Sequence, residues 1–316
     1  MSTSLKLSLI WMLALVMSAS AKDAPELDPE KGGEDFRLQG EYTGGKLGVQ
    51  VVALGGGKLR AVIHQGGLPG AGWDKLAKVE TEGERVGERA DFAPVKGWKV
   101  SLAGGELSVT PPGGESVVCA RQLRRSPSLG ARPPAGAVVL FDGRNADAFK
   151  PGKMTEEGLL VQGANSVRKF QSQMLHVEFQ LPFQPAARGQ GRSNSGCYLQ
   201  GRYEVQVLDS FGLKGENNEC GGLYGIKAPD LNMCLPPLSW QTYDVEFTAA
   251  TFDSAGQKLT PARITLLHNG VKIHDRVELP KATTAAPLKE GAEPGFLHLQ
   301  DHGNPVRYRN IWVLEK

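Results

Sequence analysis

Apolar and polar residues alternate with a period of two in short runs along this chain, and glycine or proline interrupts the runs every few positions. Strand side chains point to opposite faces in turn, so each run makes a half-buried strand, and nothing from Phe36 onward repeats at helical spacing. Leu47-Gly48-Val49-Gln50-Val51-Val52 and Leu59-Arg60-Ala61-Val62-Ile63 flank Gly55-Gly56-Gly57 and read as a β-meander. Trp98 to Leu102 and Glu106 to Val109, around Ala103-Gly104-Gly105, read as a hairpin. Further on, Met174 to Leu181, Tyr203 to Leu208 and Tyr243 to Phe247 alternate as strands with one dry and one wet face. Arg263 to His268 and Val271 to His274 flank Asn269-Gly270, a strong hairpin signal. The expectation is an all-β chain: a small β-meander domain over 22–125, an exposed Pro/Gly-rich linker over 126–136, and a sandwich or jelly roll over 137–316.

Composition limits what such a chain does. Its 36 Lys+Arg against 34 Asp+Glu give +2, too balanced for a protein that mainly binds nucleic acid. Lys6, the apolar run Leu7 to Met17 and the small residues Ala19-Ser20-Ala21 read as a secretory signal over 1–21. The expected protein is exported, to the periplasm or outside the cell, with no stable membrane insertion after cleavage. Export permits disulfides, so Cys220 and Cys234, fourteen positions apart in a loop-like stretch, are expected to be bridged. Cys119 and Cys197 read as small buried hydrophobes.

The residues for chemistry concentrate in the second half. Gly201-Arg202 turns one strand into its neighbour, and on that neighbour Glu204 and Gln206 share a face. Asn194, Tyr198, Gln200 and Asp209 lie on the same stretch. His298 and Gln300 share a face of a strand that exits through Asp301-His302, where an imidazole can move protons and a carboxylate can orient it. Arg307 opens the last strand and is expected to return to the same mouth. Tyr224 and Trp240 supply flat aromatic surface beside polar groups, the combination a sugar ring needs. A divalent cation suits a groove rich in Glu, Asp, His and Gln, although no spacing identifies one. Walker, H-E-x-x-H, G-x-S-x-G and dinucleotide-binding patterns are all missing.

The runs "LFDGRNADAF", "NSGCYLQGRYEVQVLDS", "ECGGLYGIKAPDLNMC", "WQTYDVEF", "HNGVKIHDRVELP" and "LQDHGNPVRYRNIW" follow in order from about Val138 to Leu314. Together they resemble the 3-keto-disaccharide hydrolase family. The resemblance implies a concanavalin-A-like jelly roll acting on oxidised mono- or disaccharides in exported bacterial proteins. The segment with "GGLPGAGWD" resembles a small β module found ahead of this domain in planctomycete-type proteins. Cys197 replaces an aliphatic residue usual in the family.

A ketone at C3 of a sugar acidifies the C2 hydrogen and sets up β-elimination of the C1 oxygen, after which water adds to the enone. That route needs a base, an enolate stabiliser and an acid. The expected catalytic residues are Glu204 and His302, with Asp301 beside the imidazole. Arg307 or a bound cation would stabilise the enolate, and Asn194, Tyr198, Gln200, Gln206, Asp209, Tyr224, Trp240 and Gln300 would bind substrate. Two readings compete: a two-carboxylate glycosidase with Glu204 opposing Glu178 or Asp209, and a sugar-binding module without turnover.

Overall fold

The computed structural model describes residues 24–76 and 78–316, so the expected signal sequence lies outside the described residues. The described residues are almost wholly β. The meander of the first half closes: eight antiparallel strands between Gly40 and Gln122 form a barrel, with Gly40–Gly44 bonded to Val117–Gln122. Val49, Val51, Leu59, Ala61, Ile63, Leu107 and Cys119 fill its interior. Each Val, Leu or Ile among them contributes about 1.5–3 kcal/mol by leaving water.

Two main sheets and a small two-stranded ribbon, Thr251–Phe252 with Lys258–Thr260, make up the second half. One has five strands, in the order Phe149–Lys150, Ala164–Phe170, Gly295–Leu299, Ser195–Leu199, Tyr203–Val207. The larger runs Leu160–Val161, Arg307–Glu315, Gln173–Gln180, Trp240–Thr248, Ala262–His268, Val271–Leu279, and Val138–Phe141 also pairs with Arg307–Glu315. Leu175, Val177 and Phe179 of the larger sheet share a core with Cys197, Leu199, Val205 and Val207 of the smaller. This is the sandwich the alternation predicted. Asn269 and Gly270 both take positive φ, 51° and 77°, as a two-residue hairpin turn with matching twist requires.

One expectation needs correction. The faces read as wet are buried: every residue of Ser195–Leu199 and Tyr203–Val207 is shielded, because loops cover the outer side of the small sheet. The Ser126 to Gly136 segment, mostly exposed as expected of a linker, is also tied down as a strap. Ser126 and Ser128 bond Thr242, Ser128 donates to Asp244, Gly130 N–H donates to Glu178, and Ala131 O accepts from Asn310 and Trp312. Barrel and sandwich also share core, since Phe183 and Leu238 pack into the barrel cluster and Val52 into the sandwich cluster. Among the described residues no helix is long and apolar enough to cross a membrane.

Candidate active site

On the outer face of the five-stranded sheet lies a cavity of about 160 Å3, lined by Gln190, Asn194, Tyr198, Glu204, Gln206, Tyr224, Thr284, Ala285, Gln300 and His302. Register builds it. Tyr198 sits opposite Glu204, and Gly196 opposite Gln206, across the antiparallel pair. Cross-strand partners share a face, so the carboxylate, the phenol and the amide converge while Cys197, Val205 and Val207 turn into the core. Gly196 is required here: a Cβ at that position would run into the Glu204 carboxylate and the Tyr198 ring. On the next strand, Gln300 N–H bonds Gly196 O, which brings the Gln300 amide over the same spot.

Two loops close over the edge strand. Tyr224 N–H donates to Glu204 O, and Thr283 Oγ1 accepts from Glu204 N–H at 3.0 Å. Gln190 arrives from a short 3-10 turn, and its Oε1 accepts from Gln206 Nε2 at 2.9 Å and from Asn194 Nδ2 at 3.1 Å. Asn194 is buried, yet its Oδ1 has no donor among the described residues.

Glu204 is 3% exposed. Burial raises its carboxyl to about 7, and a hydrogen bond with the Tyr198 hydroxyl moderates the rise. That hydroxyl also accepts from Gln300 Nε2 at 3.1 Å, and burial raises its own pKa far above the usual phenol value. No cation faces Glu204 in the cavity, and His302 stands exposed at the mouth. A carboxyl that is half ionised near neutrality can take a proton and return it.

Of the residues expected from sequence, the cavity unites Asn194, Tyr198, Glu204, Gln206, Tyr224, Gln300 and His302. Five lie elsewhere. Asp301 is exposed and accepts from Gly303 N–H at 2.9 Å, so it shapes the turn and does not orient the imidazole. Gln200 points to the far end of the strand, where its amide donates to Gln171 Oε1 and Phe170 O. Asp209 forms a buried ion pair with Arg192 at 2.7 Å. Trp240 belongs to the other sheet, under the Arg309 guanidinium at 3.9 Å. Arg307 donates to Gln162 and Val306 O and does not reach the cavity, so it stabilises no enolate there.

The proposed second carboxylate is missing too. Glu178 lies on the outer face of the large sheet, bonded to Arg309, and Asp209 is closed off by Arg192. Among the described residues no group of three or more His, Cys, Asp or Glu could hold a metal ion. Gln190, Thr284 and Ala285 were not expected; they come from loops without periodicity. Cys220 and Cys234 are buried free thiols, not a bridge. The two thiols lie beside one another, and each also has a further partner: Cys220 Sγ meets the Tyr243 hydroxyl at 3.2 Å, and Cys234 Sγ faces Leu208 O at 3.5 Å.

The outer face of the β sandwich thus holds one enclosed carboxyl among amides and aromatic hydroxyls, and the comparisons with known proteins place the domain among glycosyl hydrolase-like proteins. The chain belongs to the family of 3-keto-alpha-glucoside-1,2-lyase-like domains, whose sequence model matches residues 136–314. Among solved structures, a Parabacteroides distasonis ATCC 8503 protein described as a "putative glycosyl hydrolase" is 30% identical, with a TM-score of 0.53 over 58% of this chain and 85% of that one. A second protein of the same description and organism is 18% identical, with a TM-score of 0.42 over 57% of this chain and 94% of that one. No curated protein matches the chain.

Proposed function

We propose that this protein cleaves the glycosidic bond of 3-keto-glycosides outside the cytoplasm, by elimination followed by hydration. The observation that carries the proposal is the solitary Glu204: buried, raised to about 7 and unopposed by a second carboxylate. An ordinary glycosidase needs two carboxyl groups across the scissile bond. Elimination from a 3-ketone needs one base and neutral donors. The family's description as 3-keto-alpha-glucoside-1,2-lyase-like agrees with that chemistry.

In this reading the Glu204 carboxylate takes the C2 proton, and the electron pair moves into the C3 carbonyl as an enolate. The Gln300 and Gln206 amides offer hydrogen-bond donors for that oxygen. Collapse of the enolate expels the C1 oxygen, which takes a proton from His302 at the mouth or from the protonated Glu204. Water then adds across the C1–C2 double bond, its hydroxyl to C1 and a proton to C2. Asn194 Oδ1 accepts a substrate hydroxyl.

The test is a product assay on a 3-keto-glucoside and on the same glucoside unoxidised, with and without chelator. Turnover of the ketone alone, whatever its metal dependence, supports elimination. Equal turnover of both compounds, or binding of both without product, overturns it.

A further inference from the structure

A second cavity, of about 330 Å3, lies where the barrel meets the sandwich. Its size falls within the range of about 300–1,000 Å3 usual for small-molecule sites. The barrel contributes Val52, Leu54, Lys58, Arg60 and Glu82, and the sandwich contributes Arg188, Gly189, Arg192, Asp209, Phe211 and Leu213. Four cationic side chains thus face two carboxylates, and one of those, Asp209, is taken by Arg192 in a buried pair.

The remaining cations are poorly matched. Arg188 donates only to the carbonyl oxygens of Pro185, Ala187 and Leu54. Arg60 reaches Glu80 at 3.9 Å and stands opposite Glu82 across the strand pair, yet its buried Nε has no acceptor among the described residues. Arg188 is exposed at the rim; partial desolvation, together with the nearby Arg192 and Arg60 guanidiniums, lowers its pKa, and the Glu82 carboxylate opposes that shift without forming an ion pair with it. Val52, Leu54, Phe211 and Leu213 give the cleft an apolar floor.

One short segment of chain lines both this cleft and the candidate active site. Gln190 lines the Glu204 cavity, while Arg188, Gly189 and Arg192 of the same segment line this one. Two residues of chain span at most about 7 Å, the scale of one sugar unit.

We propose that this cleft is a subsite for an anionic sugar unit, its carboxylate or sulfate held by Arg188 and Arg60 and its ring resting on the apolar floor. The inference rests on the saccharide reading above for the nature of the ligand. It also gives the barrel a task, because five of the eleven lining residues are barrel residues.

Calorimetric titration of the full chain with glucuronate, glucose 6-sulfate, glucose and inorganic sulfate tests it at low salt. The two sugar acids bind and glucose does not, while inorganic sulfate binds more weakly than glucose 6-sulfate. Arg188→Gln and Arg60→Gln each weaken the sugar acids by about tenfold, the loss of one charge-assisted hydrogen bond. Glu204→Gln leaves this binding unchanged. Should either arginine variant fail to fold, Lys58→Gln at the exposed rim weakens binding in the same direction.

Sugar acids binding no better than glucose would overturn the proposal, as would binding indifferent to all three variants or inorganic sulfate binding as tightly as the sugar sulfate. Titration needs no turnover, so the two readings fail separately. Loss of 3-keto-glucoside cleavage with sugar-acid binding intact removes the enzyme and leaves the subsite. The reverse removes only the subsite.

Discussion

Glu204 and Glu178 are both buried glutamates on β-strands, Glu204 on the edge strand of the small sheet and Glu178 within the large one, on opposite outer faces of one sandwich, and their surroundings drive their charges apart. Around Glu178, burial favours the neutral acid, but hydrogen bonds from His176, Asn310, the Gly130 N–H and Arg309 outweigh it and hold the carboxyl down at about 2. Around Glu204 the partners are neutral, burial prevails and the carboxyl rises to about 7. Burial alone therefore says little about role. The balance between desolvation and cationic or donor partners decides whether a carboxyl fastens structure or remains available for proton transfer.

The sharpest way to break this comparison is to neutralise each glutamate in turn. Glu204→Gln should lower kcat on a 3-keto-glucoside by about 10²–10⁴-fold, the usual worth of a general base. Glu178→Gln should leave kcat within a few-fold and instead destabilise the fold. The expected loss is about 3 kcal/mol in urea unfolding at neutral pH, the low end for a broken buried pair because the Arg309 side chain is 36% exposed and can still meet water. A variant pair with these effects exchanged would refute the division of labour.

Stability against pH sharpens the same contrast, because the two shifts have opposite signs. Glu178 is depressed, so its contribution is present above the unfolded value near 4.5 and is lost as pH falls toward 2. Glu204 is raised from 4.5 to about 7, so its ionisation disfavours the fold as pH climbs through that range. Glu204→Gln should consequently stabilise the protein at pH 8 by on the order of 3 kcal/mol and change little at pH 4, measured by urea unfolding at both. An equal gain at both pH values would mean that packing rather than charge is responsible.

Much of this arrangement was legible in the residues. A period of two puts Glu204 and Gln206 on one face, and a tight turn at Gly201-Arg202 fixes the register that sets Tyr198 against Glu204. Alternation does not say which of two sheets a strand joins, nor what covers its polar face. Trp240 and Arg307 were assigned to the site for that reason, and both belong to the larger sheet. Glu178 reads as solvated in sequence because the Ser126 to Gly136 strap that buries it carries no periodicity. Gln190 and Thr284 were missed on the same grounds, since only tertiary folding of their loops brings them over the small sheet.

Tyr198 offers the smallest and most specific test. Its hydroxyl is the one group that pulls the Glu204 carboxyl down against burial, and Gln300 holds that hydroxyl in place from the other side. Tyr198→Phe removes the hydrogen bond and keeps the ring against the sheet, so the carboxyl should rise further. The acid limb of kcat/KM should then move up by about one pH unit, with a smaller change in the plateau rate. Gln300→Leu should move the limb in the same direction by less, because it loosens the phenol without deleting it. If Tyr198→Phe lowered the rate equally at every pH, the phenol would be acting on the substrate, and the tuning of Glu204 would have to come from burial alone.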